Sequence, residues 1–409
     1  MRSFYLKGWS VRLGLQLSVL LGWHLAIGGC AFLHVQRVEG PTLDSNFAGI
    51  RSLLKDPKLS LVSVLVVHGF GHHEPGYSQH LQDRLAEELK ITGKCDQPHE
   101  ILGGSYGLIR LCEYQDEHRR RLRIYELTWS RLTDSLKDQY LGADKEGRDR
   151  LLVNQAIKKD LLDDRFSDAV LYLGEFKRHM QLPIEYALCF MLNDPLTAVA
   201  LRKPIDPGKA CVPFLEGTVA RDSSGERAIV IVTESLGSTM VWETLVAMHE
   251  DGTPLTPNPL RSVALQVLGH TRMVFMLANQ LPLLRLGSVQ EPSTSDEISA
   301  GAERKAPTAL PKQIGSLLQK TAPLRTYEAK VIDVVAFTDP NDLLGYKIPQ
   351  HLVQDFREYL RLTNVTISVA RWGYFFIVAD PLKAHIGHID NDRILTMIIC
   401  GFPAYCGQN

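Results

Sequence analysis

Ala228-Ile229-Val230-Ile231-Val232 is an unbroken apolar, β-branched run, and Leu61-Val62-Ser63-Val64-Leu65-Val66-Val67 is a second one. Runs without polar alternation suit strands buried on both faces, as in a parallel sheet with helices on either side. The first run ends on Thr233-Glu234-Ser235-Leu236-Gly237-Ser238 and the second on His68-Gly69-Phe70-Gly71, so each buried strand feeds a loop of small residues. Further strands are expected over Arg121–Thr128, Thr271–Leu277, Lys330–Phe337 and Asn364–Ala370, with Tyr374–Val378 also extended. Between them Leu81, Leu85 and Leu89 recur at helical spacing within 78–90, and Ser238–His249 has helical character. Strand-helix alternation of this kind predicts an α/β fold around a doubly wound, mostly parallel sheet.

The chain of 409 residues is long enough for one elaborated domain. Its formal net charge of -1 gives no field suited to a polyanion, which argues against a nucleic-acid partner. Residues 60–409 are read as the α/β domain, with a mostly helical insertion over 130–220 that is either a cover for the site or packing bulk. Residues 287–312, rich in Ser, Pro, Glu, Ala and Lys, read as a surface loop or disordered insertion.

Residues 1–29 read as a signal peptide, not as part of the fold. Arg2, Lys7 and Arg12 precede an uncharged stretch from Leu13 to Gly29, which ends in Ile27-Gly28-Gly29-Cys30. This pattern resembles a bacterial lipobox, which implies lipidation of Cys30 and an exported protein held on a membrane of the cell envelope. An uncleaved signal anchor is the alternative, although the stretch is shorter than the roughly 20 residues that span a bilayer. Ala31 follows Cys30 where an inner-membrane lipoprotein would resemble having aspartate, so the outer membrane is the expected destination. Residues 30–59 are then a tether and a first amphipathic segment. The remaining six cysteines fall into three sequence-local pairs, Cys95 with Cys112, Cys189 with Cys211, and Cys400 with Cys406. Disulfides between neighbours fit an oxidising compartment, and reduced buried thiols are the other reading.

The loops at the carboxyl ends of the strands hold the candidate chemistry. Ser235 sits where a strand turns at once into a helix, as a nucleophilic serine must to stand clear of the sheet. Thr233 occupies the position two before the serine, where such turns usually have glycine, and a helix-capping role is the alternative for Ser235. The glycines of His68-Gly69-Phe70-Gly71 allow backbone N–H groups to face a developing oxyanion. Asp339-Pro340-Asn341-Asp342 follows a later strand, and Ala384-His385-Ile386-Gly387-His388 lies near the C-terminus.

The order Ser, Asp, His together with these loops, from about Val64 to Gly401, resembles the α/β-hydrolase superfamily of serine esterases and lipases. The resemblance implies an α/β-hydrolase fold, Ser235 as nucleophile, and the N–H groups of Phe70 and Leu236 as oxyanion hole. Asp342 is the first choice for the acid, with Asp339 in reserve as a turn-capping residue; His385 is the first choice for the base, with His388 in reserve and His351 read as surface. The implied reaction is cleavage of a carboxylic or lipid ester through an acyl-enzyme, with no cofactor. A metal site of His68, His72, His73, Glu74 and Asp83 is a further reading, disfavoured because the spacing matches no helical ligand pair. Glu234 either fills a variable position of the turn or biases the entrance against anions. The rival function is a hydrolase-like envelope lipoprotein without activity, a binding or structural module, for which Thr233 is the best support.

Overall fold

The computed structural model describes residues 36–41, 46–116, 120–145, 151, 154–155, 157–192, 226–250, 259–284, 286, 309–322, 331–369 and 380–403. The strands among them are β1 (Gln36–Glu39), β2 (Phe47–Ala48), β3 (Leu59–Val67), β4 (Thr92–Cys95), β5 (His99–Ile101) and β6 (Gly107–Gln115). They continue with β7 (Arg121–Thr128), β8 (Glu226–Glu234), β9 (Thr271–Leu277), β10 (Ile332–Thr338), β11 (Leu360–Ile367) and β12 (Gly401–Phe402). One sheet runs in the order β1-β11-β10-β9-β8-β3-β7-β6-β4, with β5 also paired to β6. The strands from β11 through β10, β9, β8 and β3 to β7 are mutually parallel. Antiparallel strands close the edges, β1 on β11 and the β4, β5 and β6 group on β7.

Side chains alternate between the two faces of the sheet, and here both faces are apolar. Leu65, Val67, Ile229, Ile231, Val274 and Met276 belong to one core, shared with helices Lys177–Leu192, Leu236–Glu250, Pro259–His270 and Ala309–Thr321. Val64, Val66, Val230, Val232, Phe275 and Phe337 belong to the other, against helices Ile50–Lys55, Gln79–Leu89 and Asp392–Cys400. This is why β3, β8 and β9 carry continuous apolar runs. The helix after β3 packs on one face and the helix after its neighbour β8 on the opposite face. Chains leaving adjacent strands in opposite directions open a crevice between their carboxyl ends.

Several expectations change. Residues 36–39 belong to the sheet as β1, inside the segment read as a tether; a four-residue edge strand is too short to give a period. The loop read as 287–312 ends earlier, because helix Ala309–Thr321 has begun by residue 309 and places Pro311 in its first turn, where proline is tolerated. The antiparallel strands β4 to β6 were not foreseen. Of the insertion over 130–220, helix Lys177–Leu192 is core, with Met180, Ile184, Leu188 and Met191 buried; Ser167–Leu173 joins that core through Ala169 and Tyr172, and Ile157–Phe166 and Arg131–Lys145 pack beyond it. Residues 1–35, including Cys30, and Tyr374–Val378 lie outside the described residues.

Cys95 and Cys112 face each other across β4 and β6 and form a disulfide. Cys189 and Cys400 are disulfide-bonded as well; Cys211 and Cys406, expected as their partners, lie outside the described residues. Disulfides suggest an oxidising environment. No helix among the described residues is long and apolar enough to cross a membrane.

Candidate functional site

Ser235 joins β8 to helix Leu236–Glu250 with φ of 51°, in the left-handed region that a side-chain-bearing residue adopts only at a cost of about 1–3 kcal/mol. Its N–H donates to the Leu277 carbonyl at the end of β9, 2.8 Å away, which ties the turn to the neighbouring strand. The loop after β3 crosses it closely: a Cβ at Gly69 would lie 2.5 Å from the Ser235 Cβ, and one at Gly237 would lie 2.7 Å from the His68 carbonyl oxygen. Glycine is therefore needed on both sides of the contact. Thr233 does not obstruct the turn, since its hydroxyl is 2.8 Å from the Ser238 hydroxyl and both are buried.

Ser235 Oγ is 2.8 Å from His385 Nε2, and His385 Nδ1 is 2.8 Å and 2.9 Å from Asp342 Oδ2 and Oδ1. A carboxylate only accepts, so Nδ1 carries the ring proton and Nε2 is left to accept from the serine hydroxyl. His385 lies in helix Pro381–Ile386 and not in a loop; the Asp380 side chain accepts from Leu382 N and Lys383 N at its start. Asp342 is oriented by the Leu344 N–H, which donates to Oδ1 at 2.8 Å.

The reserve residues stand aside from this chain. Asp339 accepts from Asn341 N at 2.7 Å and from Val369 N at 2.5 Å, so it pins the turn after β10 to the segment after β11. His388 points Nδ1 at the His385 carbonyl, 3.0 Å away, and burial lowers its pKa to about 4. His351 is exposed in a short 3-10 helix. Sequence reading missed Gln280, a fully buried residue after β9 whose Nε2 is 3.3 Å from His385 Nε2. Its signal was position alone, at the carboxyl end of a central strand.

The loop from His68 to Tyr77 is held by buried polar groups. The Trp129 N–H donates to His68 Nε2 at 3.0 Å, so His68 Nδ1 carries the proton and donates to the Gly69 carbonyl at 2.9 Å. Burial, with the neighbouring His73 second, drives the His68 pKa well below the usual range, and the ring is neutral. Gly71 N–H donates to Asp168 Oδ2 at 2.8 Å, and Lys137 Nζ lies 3.2 Å from Asp168 Oδ1. The helical group of the insertion thus grips the loop next to Phe70, whose ring stacks 6.2 Å from that of His385. Glu126, fully buried on β7, accepts from Gly76 N at 2.5 Å and Ser78 N at 3.0 Å. Leu236 begins its helix, so its N–H lacks the i−4 carbonyl partner of a helix interior. The metal reading is not assembled: among the described residues no group of His, Cys, Asp and Glu could hold an ion, and His72 is engaged by Asp134 at 2.7 Å and Glu74 at 3.0 Å.

Glu234 is buried beside Ser235, and its pKa is raised from 4.5 to about 8, first by burial and then by Asp390, against a smaller opposing effect of Arg165. Near neutral pH it is mostly a neutral acid, which leaves little charge to repel anions. The unfolded chain releases this proton near 4.5 and the folded chain holds it to about 8, so its contribution to stability is full below 4.5 and is lost as pH rises to about 8. Glu234→Gln is expected to flatten the decline in unfolding free energy across that window; denaturant titrations of both proteins at several pH values check it, and parallel curves would refute the assignment.

No family model matches the chain, and no curated protein matches it. Among solved structures it is similar to acetyl xylan esterase 1 from Thermoanaerobacterium sp. JW/SL YS485, at 9% identity and a TM-score of 0.20, over 73% of this chain and 88% of that one. A likeness of that size carries no weight for the fold or function of this chain.

Proposed function

We propose that the protein is a serine hydrolase that cleaves carboxylic esters, built on a sheet of α/β-hydrolase type. The observation that carries this reading is the hydrogen-bonded chain Asp342–His385–Ser235, with the serine on a strained strand-to-helix turn. In the proposed reaction Ser235 Oγ attacks the ester carbonyl carbon while His385 Nε2 takes its proton. Asp342 keeps the imidazole in the accepting tautomer and stabilises the cation that forms. The N–H groups of Phe70 and Leu236 serve the oxyanion. Collapse of the tetrahedral intermediate breaks the C–O bond, and His385 returns the proton to the leaving alcohol. Water, deprotonated by His385, then attacks the acyl-Ser235 ester, and as the second intermediate collapses His385 returns that proton to Ser235 Oγ and the acid is released. Gln280, within reach of His385 Nε2, steadies the ring between these steps.

Labelling with a fluorophosphonate probe tests the reading. The folded wild type is expected to be modified covalently at Ser235, and Ser235→Ala to lose the label and all ester turnover above background. Absence of labelling in folded wild type would favour the non-catalytic alternative. We further propose that Cys30 is lipidated and that the mature protein is anchored to a membrane of the cell envelope, a reading supported by the residues before Cys30 and by the disulfides.

A further inference from the structure

The register of β1 bears on where the N-terminus leaves the fold. β1 runs antiparallel to β11 with Gln36 opposite Ile367, so the chain enters the sheet at the carboxyl end of β11. That is the edge on which the Ser235, Asp342 and His385 elements lie. In the ladder β1 is four strands from β8, about 19 Å at the usual strand spacing. Cys30 precedes Gln36 by six positions, and a stretch of that length reaches at most about 20 Å. The eight residues of β11 are about 27 Å long. A lipid on Cys30 therefore cannot pass along the whole strand to hold the amino edge against the bilayer, whereas the carboxyl edge is within its reach.

The same edge exposes large apolar side chains. Leu343 follows Asp342 directly and is 66% exposed; Ile386 follows His385 and is 38% exposed; Tyr346, bonded through its N–H to the Asn279 carbonyl, is 44% exposed. On the helical segment whose Asp168 grips Gly71, Phe166, Val170 and Leu173 are all substantially exposed on consecutive turns, on the face opposite Asp168. Large exposed apolar side chains gathered near a site mark a surface suited to a partner or a membrane.

We propose that the membrane that holds the N-terminus is also the surface against which the carboxyl edge docks, so that the Ser235 site takes lipid esters from that bilayer. The choice of a lipid surface as occupant follows from the short reach between Cys30 and β1. The orientation rests on the proposed lipidation of Cys30, and the substrate part rests in addition on the serine hydrolase reading.

The full chain is reconstituted through its own anchor into vesicles of phosphatidylethanolamine and phosphatidylglycerol containing a doxyl-labelled lipid. An environment-sensitive fluorescent amino acid is placed in turn at Val170, at Leu343 and, as control, at Lys58, which lies just before β3 at the amino edge. Quenching at positions 170 and 343 at least threefold stronger than at 58 is expected. Equal quenching at 58, or none at 170 and 343, overturns the orientation. In parallel, Val170→Glu combined with Leu173→Glu is expected to slow hydrolysis of a long-chain diacylglycerol in the vesicle at least tenfold and to leave a water-soluble acetate ester within twofold. Equal effects on both overturn the substrate assignment. The quenching pattern is expected unchanged in Ser235→Ala; the same pattern in a wild type that fluorophosphonate does not label would remove the hydrolase reading and the lipid-ester substrate while supporting the orientation.

Discussion

Asp342→Asn is expected to lower kcat for a soluble ester by about 10⁴. The Leu344 N–H donates to one carboxylate oxygen at 2.8 Å, so the asparagine carbonyl would keep that bond and turn its NH₂ toward His385 Nδ1. Nδ1 must then accept, the ring proton moves to Nε2, and Nε2 can no longer take the proton of Ser235. The fold should survive, because the exchange is isosteric. Asp339→Asn makes the opposite comparison: its carboxylate accepts from the Asn341 and Val369 backbones and does not reach the imidazole, so stability falls and kcat changes little. Steady-state kcat and the second-order rate of fluorophosphonate labelling, measured on both variants, check the assignment. A large kcat loss in Asp339→Asn with little in Asp342→Asn would reverse it.

The central strands were legible because both of their faces are buried, which leaves a continuous apolar run and no ambiguity of period. β9 is expected and found over Thr271–Leu277, while β7, expected and found over Arg121–Thr128, is marked instead by its alternation of apolar and polar residues. The edge was harder to read for the same physical reason. β4 is exposed along its length and β1 has four residues, so neither is marked by an apolar pattern. Within the candidate site, Ser235, Asp342 and His385 were candidates by residue type and order along the chain, and the structure brings them within hydrogen-bond reach of one another. Three features were not. Gln280 and Glu126 are polar residues whose burial depends on tertiary packing, and Asp168 acts on Gly71 across 97 positions of sequence. The helix around His385 was hidden by its length, since Pro381–Ile386 is barely more than one turn and depends on the Asp380 cap. Thr233 shows the limit of motif spacing: the usual glycine can be absent when a partner such as the Ser238 hydroxyl takes up the side chain.

Gly69→Ala should damage catalysis without touching any reacting atom. The added methyl would meet the Ser235 Cβ at 2.5 Å and the Glu234 carbonyl oxygen at 2.9 Å, and neither can withdraw. Ser235 is fixed by its φ of 51° and by the bond to Leu277, so the loop after β3 has to move instead. That loop is clamped by His68 to Trp129 on one side and by Gly71 to Asp168 on the other, which concentrates the displacement on Phe70. Removing one oxyanion donor from register lowers kcat by about 10²–10³, and overpacking at a site this tight costs about 1–3 kcal/mol of stability. Gly142→Ala is the control, since a Cβ there meets nothing within 4 Å; it should leave kcat unchanged and, on a helix, raise stability slightly. The split between kcat and KM in Gly69→Ala, with thermal unfolding of both variants, decides the matter: a loss confined to KM would mean that the loop shapes substrate binding and that the Phe70 amide is not the oxyanion donor.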